Sequence, residues 1–484
     1  MPSHPVPDRS VIPSSQSRSR SRRVTLSVAG AGVAVALAAL SACGSSSTSS
    51  HAASSSGKNR LDIIMWNNPP AISFVQSLDK EFAKKYPNIS VQMQHADQPS
   101  GAYSTLQDTQ LAAKTVDIYA EFAPAPIVQP PKSTHIVPSG QTALIEGNTL
   151  VNLANQPFMK YYSKSAEQLG NGWHGGVYGL TVAQYANDGN TWANDALLHK
   201  YHVSLPTTFN QLISDCKLFK AHNVNCLFGD SSSPSRVFSG IYAQLLMEHK
   251  TPNQMVSTIL AQDRGFLKGT ENYDSPLFQQ AAKQYAELMQ YMEPNSSGVS
   301  FDTSGQVWAQ KEYTTSAFMV ADSAGGLQIH QYNPKLAYTG FTLPGTNDPT
   351  ANRETTNLDL TWYVPKTAPD KSAAMKWLSL LSQPSNYARF LKTNGSVSLQ
   401  PAQKTVDPWM TWYNSHLSGQ LVIPSLTPWV PAGASPQASG PWANNTNSTD
   451  PVLDQMVPLG STSISSELSS IAKTYDQTLK IKSH

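Results

Sequence analysis

The chain has 484 residues, a formal net charge of only +2 and 14 % charged residues. That length allows two or three domains with large cores. The sparse, balanced charge provides no concentrated basic face, so no nucleic-acid partner is expected.

A basic run (Arg18, Arg20, Arg22, Arg23) precedes an apolar stretch from Val24 to Leu40, which runs into Leu40-Ser41-Ala42-Cys43 and a serine-rich segment. A charged start, a short apolar middle and a small-residue end have the layout of an export signal that is removed from the mature protein. About 19 residues could just cross a bilayer, but a stretch this rich in Ala, Gly and Ser is thin for a stable span. The Leu-Ser-Ala-Cys junction resembles a bacterial lipobox, which implies that Cys43 becomes the lipidated first residue and ties the chain to a membrane. Arg22-Arg23 suits a twin-arginine signal or an ordinary basic start, and both routes stay open. With residues 1–42 assigned to the signal, 442 remain. Residues 43–59 are Ser/Ala/Gly-rich and read as a flexible tether. Beyond the signal no apolar run is long enough to span a membrane.

Order is expected from Arg60. Leu61, Ile63 and Met65 alternate in a strand ending at Trp66, and Asn67-Asn68-Pro69-Pro70 breaks it. Ile72, Val75, Leu78, Phe82 and Tyr86 then recur at helical spacing until Pro87. A strand at Ile89, Val91 and Met93, a polar helix over 102–114 and a strand over 116–120 follow. Strand–helix–strand–helix–strand points to a parallel sheet with right-handed crossovers. Ligands sit beyond the carboxyl ends of such strands, which places Trp66, Asn67, Asn68, Glu121 and Phe122 at a candidate rim. Trp66 serves equally as a core aromatic closing the sheet.

Further on, Thr207 or Thr208 caps a helix whose stripe is Phe209, Leu212, Ile213, Cys216 and Phe219. Asp274-Ser275-Pro276 opens a helix over 277–292, with Phe278, Ala281, Tyr285, Leu288 and Met292 inward. If Cys43 carries lipid, Cys216 and Cys226 remain. They form a disulfide in an oxidising compartment, or Cys216 stays a buried thiol in its helical stripe. No further Cys and no His at ligand spacing stands near, so no metal is expected.

The helix closing on Phe82 to Pro87, the Ile89-x-Val91 strand, residues 175–182 (GGVYGLTV) and residues 205–212 (LPTTFNQL) together resemble family 1 extracellular solute-binding proteins, the sugar-binding components of bacterial ABC importers in the maltose-binding-protein class. A strand ending in Trp66, a helix closing on Phe82-Ala83-Lys84-Lys85-Tyr86-Pro87, an Ile89-x-Val91 strand and Asp117-Ile118 are similar to the family's N-terminal lobe. Residues 175–182 (GGVYGLTV) resemble its G-x-x-Y-G-L-P segment, with Thr181 in place of the usual Pro. Residues 192–197 and 205–212 resemble its Y-Y-N-x-x-L and P-x-T-W-x-E-L motifs, with Phe209 for Trp. Residues 308–319 resemble its return to the first lobe, and Asp322-Ser323-Ala324-Gly325 lacks the Trp usual there. Residues 340–345, the helix over 370–381 and the loop 394–401 continue the likeness, which spans Arg60 to about Pro401; the final eighty residues match little.

The resemblance implies an α/β, two-lobed periplasmic-binding-protein fold (type II), each lobe a mixed, mostly parallel sheet flanked by helices and joined by a hinge. It places lobe boundaries at 60–180 and 322–364 for the first lobe, and at 181–321 and 365–484 for the second. It implies a carbohydrate ligand, an ABC permease as partner, a monomer, no cofactor and no catalysis. Tyr185 and Asp188, past the first crossing, face the cleft; Asn187 and Asp188 form a turn with Gly189 equally well. Arg236 is a ligand contact or a solvated charge, and Asp322 is a further candidate. Trp362, at the third crossing near 362–365, and Trp429 are candidate stacking platforms. Trp409, Trp412, Trp429 and Trp442 fall with nine prolines between 401 and 460, a pattern of ordered loops over a cleft or of rings pinning loops to a core. No G-x-S-x-G elbow or H-E-x-x-H is present, and Gly229-Asp230-Ser231 only superficially resembles an esterase nucleophile block.

Overall fold

The structure, a computed structural model, describes residues 59–97, 101–124, 136–138, 140–187, 189–300, 303–403, 429–431, 458 and 460–480. The signal, Cys43, the tether up to residue 58, Asp188, Trp409, Trp412 and Trp442 lie outside the described residues. So does the side chain of Trp429.

The chain alternates strand and helix through β1 (Asn59–Trp66), α1 (Pro69–Lys85), β2 (Ile89–Ala96), α2 (Ala102–Ala113) and β3 (Ile118–Glu121). Two prolines suit the first turn of α1, and the Asn68 side chain caps it by accepting from the Ala71 amide at 3.2 Å. Ala71, Phe74, Val75, Leu78 and Phe82 bury one face of that helix. Helical crossovers return the chain to the same end of the sheet, so β2 and β3 pair with β1 in parallel.

Next come β4 (Ile136–Pro138), α3 (Gly140–Glu146), α4 (Lys164–Asn171) and the short pair β5 (Gly172–Trp173) and β6 (Gly176–Val177). They lead into β7 (Leu180–Ala186), which is buried at every residue.

A second sheet is then built from β8 (Asn190–Asn194), β9 (Asn225–Phe228), β10 (Ser316–Val320) and β11 (Tyr338–Thr342), in the order β11-β8-β10-β9. Its helices are α5 (Asp195–Tyr201), α6 (Phe209–Ala221), α7 (Ser233–Met247), α8 (Pro252–Lys268), α9 (Pro276–Met289), α10 (Ser304–Val307) and α11 (Ala324–Tyr332). Thr208 caps α6 through the Gln211 amide at 3.2 Å. The buried stripe of α6 is Phe209, Leu212, Ile213, Cys216 and Phe219. Cys216 and Cys226 form a disulfide with Cα atoms 4.9 Å apart, joining α6 to β9.

The chain returns to the first sheet as β12 (Thr356–Tyr363), giving the order β2-β1-β3-β12-β7 with β12 antiparallel to both neighbours. α12 (Lys371–Leu381) and α13 (Pro384–Asn394) then cover α1 and one face of this sheet, contributing Trp377, Leu378, Tyr387 and Phe390 to its core. β13 (Trp429–Pro431) pairs antiparallel with β4. α14 (Ile464–Lys480) joins the second core through Leu468, Ile471 and Ala472.

Two sheets with separate cores make two lobes, but their boundaries differ from those expected. β7 belongs to the first sheet, which moves the first crossing to residues 187–189. β11 belongs to the second, which moves the return to residues 343–355. Residues 365–399, expected in the second lobe, pack on the first, because the apolar faces of α12 and α13 find their partner in α1.

Candidate functional site

The two crossings between lobes run side by side. The Asn187 amide donates to the Thr355 carbonyl at 2.9 Å and the Leu343 amide to the Gly189 carbonyl at 2.7 Å. Beside them the Ser323 amide donates to Ala186 O at 2.9 Å, and the Val397 amide to Gln184 O at 2.8 Å. Fully buried Gln244 of α7 holds the second crossing, its Nε2 donating to Leu343 O and to Arg353 O at 3.1 Å each. These contacts bring the carboxyl end of β10 against the first sheet, so the strand ends of both lobes look onto one crevice.

On the first-lobe side, Trp66 is 5 % exposed, stacked on Phe122 at 5.2 Å and edge-on to Tyr103 at 6.0 Å. It closes the sheet as a core aromatic, and half-buried Phe122 is the ring that reaches the rim. Asn68 is used as the cap of α1. Asn67 is exposed, with its Oδ1 2.5 Å from His95 Nδ1. Half-buried Glu121 accepts from the Phe122 amide at 2.9 Å, and burial lifts its carboxyl to about 7.

Asp359 of β12 stands next to Glu121, because Thr361 pairs with Glu121 and the Ala123 amide donates to Leu358 O. Burial raises the Asp359 carboxyl to about 7, the neighbouring charges of Asp322 and Glu121 adding to it and the Leu360 amide opposing it. Leu360 has φ +47, a left-handed conformation that a leucine inside a strand holds only under constraint.

From the second lobe, Asp322 Oδ1 accepts from the Ala324 and Gly325 amides at 3.0 and 3.3 Å and so starts α11. Its Oδ2 lies 3.7 Å from Arg236, which is also 3.7 Å from Asp230. Arg236 is therefore no solvated surface charge: it is 8 % exposed inside an ion-pair set. Trp192 Nε1 donates to the Asp322 carbonyl at 3.1 Å and fixes this turn from behind. Tyr185 is 7 % exposed and held by Asn394, and its hydroxyl lies in the field of Asp359 and Asp322.

Of the expected residues, Glu121, Tyr185, Asp322 and Arg236 thus converge, with Trp66 just behind. Trp362 does not join them. It is 1 % exposed and packs edge-on against Trp377 at 5.0 Å beneath the sheet, so it is core packing and offers no face for stacking. Asp188 and the Trp429 ring lie outside the described residues. Sequence reasoning missed Asp359, whose signal was a lone acid in an otherwise uncharged strand.

A depression lined by Asn59, Arg60, Asp62, Thr115, Pro369 and Asp370 lies at the opposite, amino ends of β1 and β3. Its polar groups serve the fold: Arg60 pairs with Asp62 at 2.7 Å, and Asp117 accepts from the amides of Asp62 and Asp370 at 2.9 and 2.6 Å. Among the described residues no group of three or more His, Cys, Asp or Glu is arranged to hold a metal ion.

Solved structures share this architecture. A family 1 extracellular solute-binding protein from Bifidobacterium longum subsp. infantis superposes with a TM-score of 0.61 at 16 % identity, covering 87 % of this chain and 100 % of that one. The binding protein MsmE of Bacillus subtilis, in an open conformation, gives 0.63 at 15 % identity over 88 % and 99 %. Ligand-free RafE of Streptococcus pneumoniae gives 0.63 at 11 % over 88 % and 99 %. Identities this low speak for the fold, and the fold is that of the type II two-lobed periplasmic-binding proteins. The sequence itself then decides the family. A model described as bacterial extracellular solute-binding protein matches residues 67–388, and the chain belongs to that family. No curated protein matches it by sequence.

Proposed function

We propose that this chain is a membrane-anchored extracytoplasmic receptor that captures a carbohydrate, an oligosaccharide, in the crevice between its lobes and delivers it to an ABC permease. The observation that carries the reading is the half-buried Phe122 ring at the end of β3, next to a Glu121 carboxylate whose charge acts on Asp359, as does that of Asp322 from the second lobe. Sugar C–H faces lie on aromatic rings, and sugar hydroxyls need directed acceptors once water is excluded. Closure about the paired crossings would exclude that water. Similar folds bind raffinose, maltose and β-D-galactopyranose, and another is a chitin oligosaccharide binding protein. A lipid on Cys43 with its serine-rich tether would keep the receptor beside its permease and raise its effective concentration there. Asn67, Tyr185, Arg236, Asp188 and Trp429 remain assigned to this ligand site, and the receptor acts as a monomer without cofactor or turnover.

A second reading rests on the same carboxylates. Among the described residues, Arg236 is the only cation whose charge acts on Glu121, Asp359 or Asp322, and it already sits between Asp230 and Asp322. That balance also suits a basic solute such as a polyamine. Thermal shift with a panel of neutral oligosaccharides, amino acids and polyamines separates the two. Stabilisation by an oligosaccharide without release of product supports the proposal. A response to polyamines or amino acids alone overturns the ligand class, and release of reducing sugar overturns the binding role.

A further inference from the structure

Behind the crevice a run of buried polar groups joins three elements. Glu167 on α4 is 2 % exposed. Its Oε2 accepts from Asn171 Nδ2 at 3.2 Å and from the Thr181 backbone N–H at 3.3 Å. Asn171 Nδ2 also donates to Thr181 Oγ1 at 2.8 Å, and that hydroxyl lies 2.9 Å from Thr361 Oγ1 on β12. The Tyr363 hydroxyl stands 3.0 Å from Asn171 Oδ1 and 3.1 Å from the Phe122 carbonyl oxygen. The contacts therefore pass from α4 through β7 and β12 to the residue that forms the rim. Gly179 makes room for them, since a Cβ there would fall 2.6 Å from both Thr361 Cγ2 and Tyr363 Cε1.

Such a network is a costly way to fill a core. Glu167 Oε1 is buried without a hydrogen-bond partner, and well-packed apolar side chains of similar volume would be at least as stabilising. What a connected polar network adds is one fixed geometry. Here the geometry ends at Phe122, whose ring lies on Trp66 and whose amide binds the Glu121 carboxylate.

We propose that Glu167, Asn171, Thr181, Thr361 and Tyr363 act as one positioning unit that fixes the Glu121–Phe122 rim, and that loss of the proton on Glu167 loosens it. Burial holds the Glu167 carboxyl at about 8, against the bonds from Thr181 and Asn171, so it is neutral at pH 7 and ionises in mildly alkaline solution. The titratable groups that face it are the phenols of Tyr162, Tyr363 and Tyr387, each kept neutral by burial well above that pH. The folded-state carboxyl is raised above its ordinary value, so its support is complete in acid and fades as pH climbs through 8. The role in the rim rests on the crevice being the ligand site, but its test reads the free protein and stands or falls separately.

Hydrogen–deuterium exchange on the ligand-free full chain, followed in the peptide covering residues 118–124 and corrected for intrinsic rates, makes that test. Tyr363→Phe removes one buried hydrogen bond and speeds exchange there by about tenfold, with second-lobe peptides unchanged. The unsubstituted protein loosens in the same peptide between about pH 7 and 9. Glu167→Gln, whose amide oxygen still accepts from Asn171 and Thr181 and cannot ionise, keeps the rim protected throughout. Equal exchange in the unsubstituted protein and Tyr363→Phe, or a Glu167→Gln profile that follows the unsubstituted one with pH, overturns the proposal. If Tyr363→Phe fails to fold, the Glu167→Gln comparison decides.

Discussion

Trp192 governs the crevice from inside the second lobe. Its fully buried ring donates Nε1–H to the Asp322 carbonyl, and Gly326 of α11 crosses so close above it that a Cβ would overlap the ring. Gly326→Ala should therefore push α11 or Trp192 aside and cost about 1–3 kcal/mol in denaturant unfolding; unchanged stability would mean that this contact is slack. At this scale the sequence was a partial guide. Glu121 could be expected at the rim because ligands gather at strand ends, whereas Asp322 entered only as a candidate with the family resemblance. Trp362 could not be placed, because the polar alternation of β12 ends at Asp359 and the residues after it, Leu360 to Tyr363, are all buried. The backbone adds a further inversion there. Leu358 packs on Gly170 of α4 and Thr361 bonds Thr181 toward the same helix, although residues three apart in a regular strand face opposite ways. The left-handed Leu360 between them absorbs the mismatch.

Elements with strong periodicity and side-chain caps were legible almost to the residue. α1, α6, α9 and α12 each begin at a capping Asn, Thr, Ser or Asp, and the stripes expected for α1, α6 and α9 are buried except Ile72, Tyr86 and Met292, which are half-buried. Lobe membership was harder. The resemblance puts most of β7 in the second lobe, and only its pairing with β12 places it in the first. Likewise α12 and α13 follow the last crossing in sequence yet pack back on α1. The disulfide belongs to this scale, since Cys216–Cys226 fastens α6 to the edge strand β9. Replacing Cys216 and Cys226 with alanine should lower stability by about 2–4 kcal/mol. Identical unfolding midpoints for the two proteins under non-reducing conditions would show that the crosslink adds nothing.

Taken whole, the molecule buries carboxyl groups with few cations to meet them. Burial lifts Asp79, which accepts from Trp377 Nε1 at 2.8 Å, to about 7, and Glu354, beside Thr342, to about 7. These groups bind protons more tightly folded than unfolded, so their contribution to stability is complete below the ordinary carboxylate range and is lost as pH rises toward 7 and beyond. The melting temperature should therefore be higher near pH 5 than near pH 8. Asp79→Asn, which keeps an acceptor for Trp377, should recover part of the loss at pH 8; a profile that rises from pH 5 to 8 would contradict this. The solute capture proposed for the two lobes depends on the rim that Phe122 and its carboxylate neighbours form between them. Calorimetric titration of a panel of neutral oligosaccharides into the full chain and into Phe122→Ala tests it most directly. The account predicts binding of an oligosaccharide without turnover, weakened about tenfold or more by the substitution. An oligosaccharide bound with equal affinity by both proteins, or no response to any member of the panel, would contradict it.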